Sequence, residues 1–305
     1  MITFLTSFKA FVGDDALRQR RALLSWLALD DDVEVMVFGP AEGLEPVVSR
    51  LGLVHWADVP CIDGRLPRVD AIFGIAQDRG RHELQAYVNG DIVLGPDFLE
   101  AALSIPFQRF LMVGATWRTD SWANAEMSIP EDLAEFRQRA LARGRALGTG
   151  ADFFAYRRGS LGRLPPLAVG AVAWDNYLIE HCRLRGMPVI DATHDVLAIH
   201  QRHEYLRTPT GGRTTEEGRS AEHNLRICGG RDRYVVRDAS HVLVSGMLRP
   251  SWMSLPHLCH RLSVLPARSP AWRRWRLPIR LAVGILSAIG HEPVAHYSSA
   301  LNRGH

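Results

Sequence analysis

The order of apolar and polar positions at the start of the chain predicts a strand, a helix and a second strand. Residues 2–6 are a short apolar run, and residues 16–27 carry apolar side chains at helical spacing. Residues 33–38 are almost continuously apolar, which is typical of a parallel strand covered on both faces. This β–α–β order indicates an α/β fold built on a mainly parallel sheet.

The same two patterns recur further along the chain. Additional strands are predicted at residues 53–56, 86–88, 92–94, 110–116, 148–161, 187–193 and 196–201. Additional helices are predicted at 46–51, at 68–87, after a capping Asp97, at 174–186 and, as an exposed charged helix, at 131–147. Residues 206–221 are rich in turn-forming and charged residues and are predicted to form a loop.

Composition and charge bear on the kind of partner and on the cellular compartment that we expect for this protein. The chain has 305 residues and a formal net charge of +3, and without a nucleic-acid module this charge does not indicate nucleic acid as a partner. The four cysteines lie far apart, so a disulfide framework is not expected and a reducing compartment is favoured. Neither a signal peptide nor a run of about 18 apolar residues is found, so we expect a cytoplasmic protein.

The charge is concentrated near the end of the chain, where residues 236–305 are predicted to form a basic extension of an α/β domain at 1–235. Between residues 239 and 291 the sequence has seven arginines and no Asp or Glu, and residues 277–290 are mostly apolar. Two interpretations stay open. Either the extension lies on the anionic inner face of a membrane as a peripheral segment, or it is a helix packed on the domain.

The first segment with candidate chemistry is Asn89-Gly90-Asp91, which separates two apolar strands. One interpretation is a tight turn, because Asn, Gly and Asp tolerate positive φ. The other is a ligand for a hard divalent cation, which prefers oxygen atoms and often shares them with phosphates. Apolar strands on both sides place the turn at the carboxyl edge of a sheet, where α/β folds bind ligands.

Three further segments carry candidate residues. Asp152 follows a glycine-rich stretch and either orients a sugar hydroxyl or caps local amides. Asp175 lies in Trp174-Asp175-Asn176 at a helix start, where it is either a cap or a general base, with Trp174 as an apolar platform for a sugar ring. His200 ends an apolar strand and is either structural or a second metal ligand beside Asp91.

Taken in order, four segments of the sequence resemble nucleotide-sugar glycosyltransferases of the GT-A fold, similar to family 2. The resemblance covers roughly residues 2 to 206, and it is carried by the segments 87–94, 150–159, 164–193 and 198–205. Asn89-Gly90-Asp91 stands where such enzymes have an Asp-x-Asp metal motif, of which only the last Asp is present. Trp174-Asp175-Asn176 stands where inverting members have their acidic base, and His200 where many have a late metal-binding histidine.

The resemblance implies a fold and a reaction. The fold is a Rossmann-like twisted sheet between helices, with the nucleotide over its carboxyl edge. The reaction moves a sugar from a nucleoside diphosphate, most commonly uridine diphosphate, to a hydroxyl of a saccharide or lipid-linked acceptor. Mn²⁺ or Mg²⁺ would bridge the diphosphate and the protein.

The resemblance also implies roles for individual residues. Asp175 would be the catalytic base, and the metal ligands would be Asp91 and His200. Residues of the donor site would be Thr6, Ser7, Asn89, Gly90, Asp91 and Arg118. Residues of the acceptor site would be Asp152, Trp174 and Asn176.

Two other functions stay open at this point. A nucleotidyltransferase on a similar sheet normally needs a basic, glycine-rich loop after the first strand, and residues 6–15 contain one Lys and one Gly. A non-catalytic nucleotide-sugar-binding protein is consistent with Asn89 in place of an aspartate.

Overall fold

The computed structural model describes residues 1–119, 131–143, 145–147, 151–201, 215–230 and 234–251, together with Pro278. Strands and helices alternate through these ranges, as the sequence predicts. The helices are α1 (Gly13–Leu27), α2 (Glu45–Leu51), α3 (Val69–Arg79), α4 (Pro96–Ser104), α5 (Glu131–Arg143), α6 (Trp174–Leu184) and α7 (Arg219–Cys228), with a short 3-10 turn at Val236–Asp238. The first eight strands are β1 (Ile2–Thr6), β2 (Val33–Phe38), β3 (Val54–Trp56), β4 (Cys61–Ile62), β5 (Leu66–Pro67), β6 (Leu84–Val88), β7 (Ile92–Val93) and β8 (Leu111–Val113). The remaining strands are β9 (Thr116–Thr119), β10 (Arg145–Leu147), β11 (Phe153–Arg157), β12 (Val189–Asp191), β13 (Ile199–Gln201), β14 (His241–Val244) and β15 (Met247–Pro250).

A nine-stranded sheet in the order β15-β14-β12-β8-β11-β6-β1-β2-β3 is the centre of the fold. Its pairs are parallel except those of β11, which runs antiparallel between β6 and β8, and of the edge strand β15. A second sheet has the order β10-β9-β13-β7, and β4 and β5 pair separately. The predicted α/β class with a mainly parallel sheet is therefore confirmed.

The central strands are buried on both faces, as their mainly apolar sequence predicts. Alternate side chains of β1 and β2 enter two different cores because strand side chains alternate between faces. Phe4 packs with Trp26 of α1 on one face. Leu5 and Met36 join Phe73 of α3 on the other face. Helices therefore cover the sheet on both sides.

Two predicted elements have different bounds in the structure. The helix predicted at 68–87 ends at Arg79, because the chain at Gly80 is extended and Leu84 already begins β6. A Cβ at Gly80 would lie 2.6 Å from Gln85 Nε2 of the side-chain amide, so this position accommodates only glycine. The strand predicted at 110–116 is split into β8 and β9, which belong to different sheets.

Helix α5 is not the exposed helix that its charged sequence predicts. It buries Leu133, Phe136 and Ala140 against the second sheet. Arg137 Nη2 lies 2.7 Å from Asp97 Oδ2, and both side chains are largely buried. Asp97 also accepts a hydrogen bond from the Leu197 N–H at 2.7 Å. Asp97 therefore joins α4, α5 and the chain before β13. It lies in the first turn of α4, whose N-cap is Gly95 instead of the predicted Asp97.

The sheet extends beyond the predicted domain boundary at residue 235. β14 pairs parallel with β12, and β15 turns back along β14 through Ser245-Gly246. The Asp195 carboxylate accepts hydrogen bonds from both N–H groups of this turn at 2.7 Å. Residues up to Pro250 thus belong to the α/β fold.

Most of the predicted basic extension lies outside the described residues, including the apolar stretch at 277–290 apart from Pro278. Residues 148–150 and most of the predicted loop at 206–221 also lie outside them. The end of that predicted loop is helical, since α7 begins at Arg219. Among the described helices, none is both long and apolar enough to cross a membrane.

We predict that Arg137→Ala lowers the free energy of unfolding by about 3–5 kcal/mol, because it leaves the Asp97 carboxylate buried without its cation. Urea unfolding measures the change. Arg139→Ala is the matched control, since Arg139 pairs with Glu135 on the exposed face of the same helix and should change stability by less than about 0.5 kcal/mol. Equal losses in the two variants would contradict the prediction.

Candidate functional site

The candidate residues gather at one edge of the large sheet. Thr6 is the last residue of β1 and Ser7 follows it. The turn 89–91 follows β6, so both segments lie at the carboxyl ends of parallel strands. Asp152 reaches the same edge because β11 runs antiparallel and begins there. The Asn89 N–H donates to the Asp152 carbonyl at 2.9 Å. This is the edge at which α/β sheets bind their ligands.

The Asp91 carboxylate and the His200 imidazole meet at this edge. His200 Nε2 lies 3.5 Å from Asp91 Oδ2, and the two side chains are 8% and 18% exposed. Adjacent ligands about 2.1 Å from a Mg²⁺ ion in octahedral geometry are about 3 Å apart, so the separation fits two neighbouring coordination positions. The predicted convergence of the two side chains is confirmed, and their role as metal ligands stays a prediction.

The second sheet explains why His200 reaches Asp91. β13 runs antiparallel to β7 with His200 opposite Ile92, so the end of β13 lies beside the turn that precedes β7. On its other side β13 runs parallel to β9, with His200 in register with Arg118. Residues paired in this way project from the same face of a sheet. Arg118 is exposed on the face that carries His200, and its predicted contact with the donor stays a prediction.

Asp152 lies between the two sheets. Its Oδ1 accepts a hydrogen bond from Asn89 Nδ2 at 2.9 Å, and its Oδ2 accepts one from Thr116 Oγ1 at 2.8 Å. Asn89 directly follows β6 of the large sheet, whereas Thr116 begins β9 in the second sheet. The partners of Asp152 are thus side chains of neighbouring strands rather than the local amides of a cap. Its predicted contact with an acceptor stays a prediction.

Gly90 permits a close approach of the loop that follows β1. A Cβ at this position would lie 2.5 Å from the Phe8 ring and 3.2 Å from the Ser7 carbonyl oxygen. Ser7 Oγ also lies 3.4 Å from the Tyr87 hydroxyl. Burial raises the pKa of Tyr87, so this hydroxyl is neutral at physiological pH. The residues after β1 and β6 therefore form one packed unit.

Asp175 lies in the first turn of α6 and has a perturbed carboxyl group. Burial raises its pKa to about 6, and the charge of Asp152 acts in the same direction. Hydrogen bonds from the backbone N–H groups of Asn176 and Asp175 act in the opposite direction. A carboxyl group with this pKa changes protonation near neutral pH, as a general base requires. Its role as the base stays a prediction.

The backbone before Asp175 is in an unusual conformation. Ala173 has φ of 75° in the left-handed region, which non-glycine residues adopt at a cost of about 1–2 kcal/mol. Such strained residues cluster at functional sites, where the surrounding structure maintains them. The start of α6 is therefore held in a specific orientation rather than an intrinsically favoured one.

The neighbours of Asp175 contact protein instead of open space. Trp174 is 4% exposed, and its ring packs on Tyr87 and Phe154 with centroid distances of 4.9 and 5.1 Å. This buried position favours a core role for Trp174 over the predicted platform for a sugar ring. The Asn176 side chain donates to the Tyr234 carbonyl at 2.8 Å, which ties α6 to the chain before β14.

Thr6 is also turned inward. It is fully buried, and its hydroxyl lies 3.5 Å from the Ser7 carbonyl oxygen. Of the two donor-site residues predicted after β1, Ser7 is thus the more accessible one.

Sequence reasoning missed three polar residues at this edge: Thr116, Arg21 and Gln201. Arg21 and Gln201 are both buried, and Arg21 Nη1 donates to Gln201 Oε1 at 2.8 Å. The available signal was a charged residue among the apolar positions of α1, directly before Ala22 and Leu23. Such a residue needs a polar partner inside the fold.

The described part of the chain contains no group of three or more His, Cys, Asp or Glu side chains that could hold a metal ion. Asp91 and His200 fit a cation that takes its other ligands from a bound diphosphate and from water, as Mg²⁺ usually does.

Together, these features define an α/β protein with a polar site at the carboxyl edge of its sheet. Among solved structures, the chain is similar to Staphylococcus aureus TarS 1–349 in complex with UDP-GlcNAc, with 12% identity, a TM-score of 0.45 and coverage of 74% of this chain and 64% of that chain. It thus spans less than two thirds of that TarS chain.

The chain is similar to two mycobacterial structures as well. One is glucosyl-3-phosphoglycerate synthase from Mycobacterium tuberculosis in complex with Mn²⁺ and UDP-glucose, with 13% identity, a TM-score of 0.41 and coverage of 67% and 72%. The other is described only as a mycobacterial protein, with 14% identity, a TM-score of 0.44 and coverage of 75% of both chains. No family model and no curated protein sequence matches the chain.

We predict that Asp175→Asn stabilises the protein at alkaline pH but not at acidic pH. The folded-state pKa of about 6 lies above the ordinary aspartate pKa of 3.8, so the folded chain binds the proton more tightly than the unfolded chain does. Wild-type stability must then fall as the pH rises through this interval, by at most about 3 kcal/mol. The asparagine has no charge and escapes this loss.

Urea unfolding at pH 4 and pH 8 tests this prediction, because the variant should gain stability over the wild type only at pH 8. Asp78→Asn, on the exposed side of α3, controls for the removal of one negative charge. A variant that is equally stable or less stable than the wild type at pH 8 would contradict the raised pKa of Asp175.

Proposed function

We propose that this protein is a glycosyltransferase that moves a sugar from a nucleoside diphosphate donor, a UDP-sugar, to a hydroxyl acceptor with inversion. The observation that carries the proposal is the meeting of Asp91 and His200, 3.5 Å apart at the carboxyl edge of the sheet. A carboxylate from the turn after β6 and an imidazole from β13 lie close enough there that both could bind one cation. The four resembling sequence segments bring their candidate residues to this same edge.

The donor would lie across the ends of β1 and β6. Ser7 and Asn89 offer polar groups there for the nucleoside, with Thr6 and Gly90 shaping the backbone around them. Arg118 shares the face of His200 and offers a cation for the diphosphate. These residue types suit a ligand with hydroxyl groups and negative charge.

Asp91 and His200 would hold Mn²⁺ or Mg²⁺, whose charge would offset the negative charge on the departing diphosphate. The protein itself supplies one carboxylate oxygen and one imidazole nitrogen. Oxygen atoms of the donor would complete the set, so metal and donor should bind together.

Asp175 would accept the proton of the acceptor hydroxyl. The hydroxyl oxygen forms a bond to the anomeric carbon, the bond from that carbon to the diphosphate oxygen breaks, and its electron pair leaves with the nucleoside diphosphate. The proton ends on the Asp175 carboxylate, for which a pKa of about 6 is suited at neutral pH. The acceptor would be a saccharide or a lipid-linked hydroxyl compound. A lipid-linked one fits the interpretation in which the basic extension lies on an anionic membrane.

The function is tested by incubating the protein with Mn²⁺ and a panel of nucleotide sugars and measuring nucleoside diphosphate release. We expect release from one donor, and a loss of about 100-fold or more in Asp91→Ala, because charge stabilisation by a metal contributes several kcal/mol. Asp78→Ala is the control and should retain full activity. Donor binding without turnover by the wild type would favour a non-catalytic binding protein, and pyrophosphate exchange a nucleotidyltransferase.

The assignment of the base predicts a specific pH profile. Because the carboxylate must be deprotonated, kcat/KM should fall about tenfold per pH unit below about pH 6 and level off above it. Asp152→Asn removes a negative charge that raises the pKa of Asp175, so this variant should shift the acidic limb to lower pH. A profile that is flat between pH 4.5 and 7, or identical in the two proteins, would contradict the assignment.

A further inference from the structure

A buried glutamine next to His200 connects the candidate metal site to helix α1. Gln201 is fully buried, and its Nε2 donates to the carbonyl oxygens of Asp91 at 3.0 Å and Arg18 at 2.9 Å. Its Oε1 accepts a hydrogen bond from Arg21 Nη1 at 2.8 Å. Both amide hydrogens and the amide oxygen are therefore used, which fixes the side chain in one orientation.

Arg21 determines that orientation. A guanidinium group only donates hydrogen bonds, so the glutamine must turn its oxygen toward Arg21 and its nitrogen toward the two carbonyl groups. Arg21 is 7% exposed, and its guanidinium lies 5.5 Å from the centre of the Phe136 ring. Within the described residues, no carboxylate forms an ion pair with Arg21. Its principal polar partner is thus the Gln201 oxygen.

The same helix holds the next residues after Asp91. Trp26 Nε1 donates to the Ile92 carbonyl at 2.9 Å, and the Leu94 N–H donates to Ser25 Oγ at 3.2 Å. With the bond from Gln201 to the Asp91 carbonyl, α1 and its partner fix three points along residues 91–94. Only the bond at Asp91 lies on the residue that faces His200.

We propose that Arg21 and Gln201 act as a positioning pair that holds the Asp91 backbone so that its carboxylate meets His200 at the spacing a divalent cation requires. This inference rests on the proposed function and extends it to two residues that touch neither donor nor metal. Gln201 follows His200 directly in β13, so one buried amide fixes both ligands relative to each other.

The energetic reason is the small tolerance of a metal site. Ligand geometry must be kept within about 0.5 Å, and the residues that orient ligands typically contribute 10–100-fold to metal affinity. Loss of the side-chain amide donor would leave the Asp91 carbonyl with only the longer bond from the Gln201 backbone N–H, at 3.5 Å. The turn 89–91 would then be held less tightly against β13.

Gln201→Glu separates positioning from simple packing. The glutamate keeps the shape of the side chain and the acceptor for Arg21, but it loses both N–H donors and places an oxygen opposite the Asp91 carbonyl. Arg21→Met is the second variant, since it leaves the glutamine in place without the cation that orients it. Ser25→Ala is the matched control, because it removes a buried hydrogen bond of the same helix that ends at Leu94.

The experiment measures the dissociation constant of Mn²⁺ in the presence of UDP by isothermal titration calorimetry, with thermal unfolding of each variant recorded in parallel. We expect Gln201→Glu and Arg21→Met to bind Mn²⁺ about 10–100-fold more weakly than the wild type, and Ser25→Ala to bind within about twofold. In the transfer assay, the two variants should raise the KM for Mn²⁺ and leave kcat at saturating Mn²⁺ nearly unchanged.

The outcomes separate this inference from the proposed function. Wild-type affinity in a folded Gln201→Glu or Arg21→Met variant overturns the positioning pair and leaves the proposed function intact. Equal weakening in Ser25→Ala also overturns it, because the effect would then follow general destabilisation. A wild-type protein that binds no Mn²⁺ with UDP overturns both.

Discussion

The site depends on the junction between the two sheets. The Asp152 carboxylate accepts hydrogen bonds from Asn89 at the end of the large sheet and from Thr116 at the start of the second sheet. This junction sets the position of the strand that carries His200 relative to the turn that carries Asp91. A charged acceptor is suited to the task, because hydrogen bonds to an ionised group are about twice as strong as those between neutral groups.

The antiparallel strand β11 makes this junction available. In a purely parallel sheet, the first residue of a strand would lie at the edge opposite the ligand. Because β11 is reversed, Asp152 stands at the carboxyl edge of its neighbours and within reach of both sheets. The same carboxylate raises the pKa of Asp175, although burial of Asp175 has the larger effect. One side chain thus affects both the junction between the two sheets and the protonation of Asp175.

Local sequence patterns made much of the fold and of the candidate site predictable. Mainly apolar runs at 2–6 and 33–38 identified buried parallel strands, and the polar residues that follow such runs indicated where Asp91 and His200 would meet. The helix that begins at Trp174 was equally visible, since its apolar positions recur at helical spacing. Burial of the Trp174 ring could not be predicted, because the pattern places an aromatic residue at the helix start without showing what covers it.

Long-range pairings explain what the sequence did not reveal. The strand predicted at 110–116 divides between two sheets because of partners more than 40 residues away in the chain. Helix α5 looks exposed by composition, yet Arg137 pairs with a buried Asp97 that precedes it by 40 positions. Arg21 and Gln201 are separated by 180 positions. No local pattern links such residues, and only the folded chain brings them together.

Among the described residues, β3 and β15 are the two edge strands of the large sheet, and they affect how the protein behaves at high concentration. At one edge β3 is only three residues long, and at the other β15 ends in Arg249 and Pro250. Short strands, charged side chains and a proline without an N–H group are features that discourage a second chain from adding to a sheet. The long, apolar interior strands are thereby shielded from intermolecular pairing and aggregation.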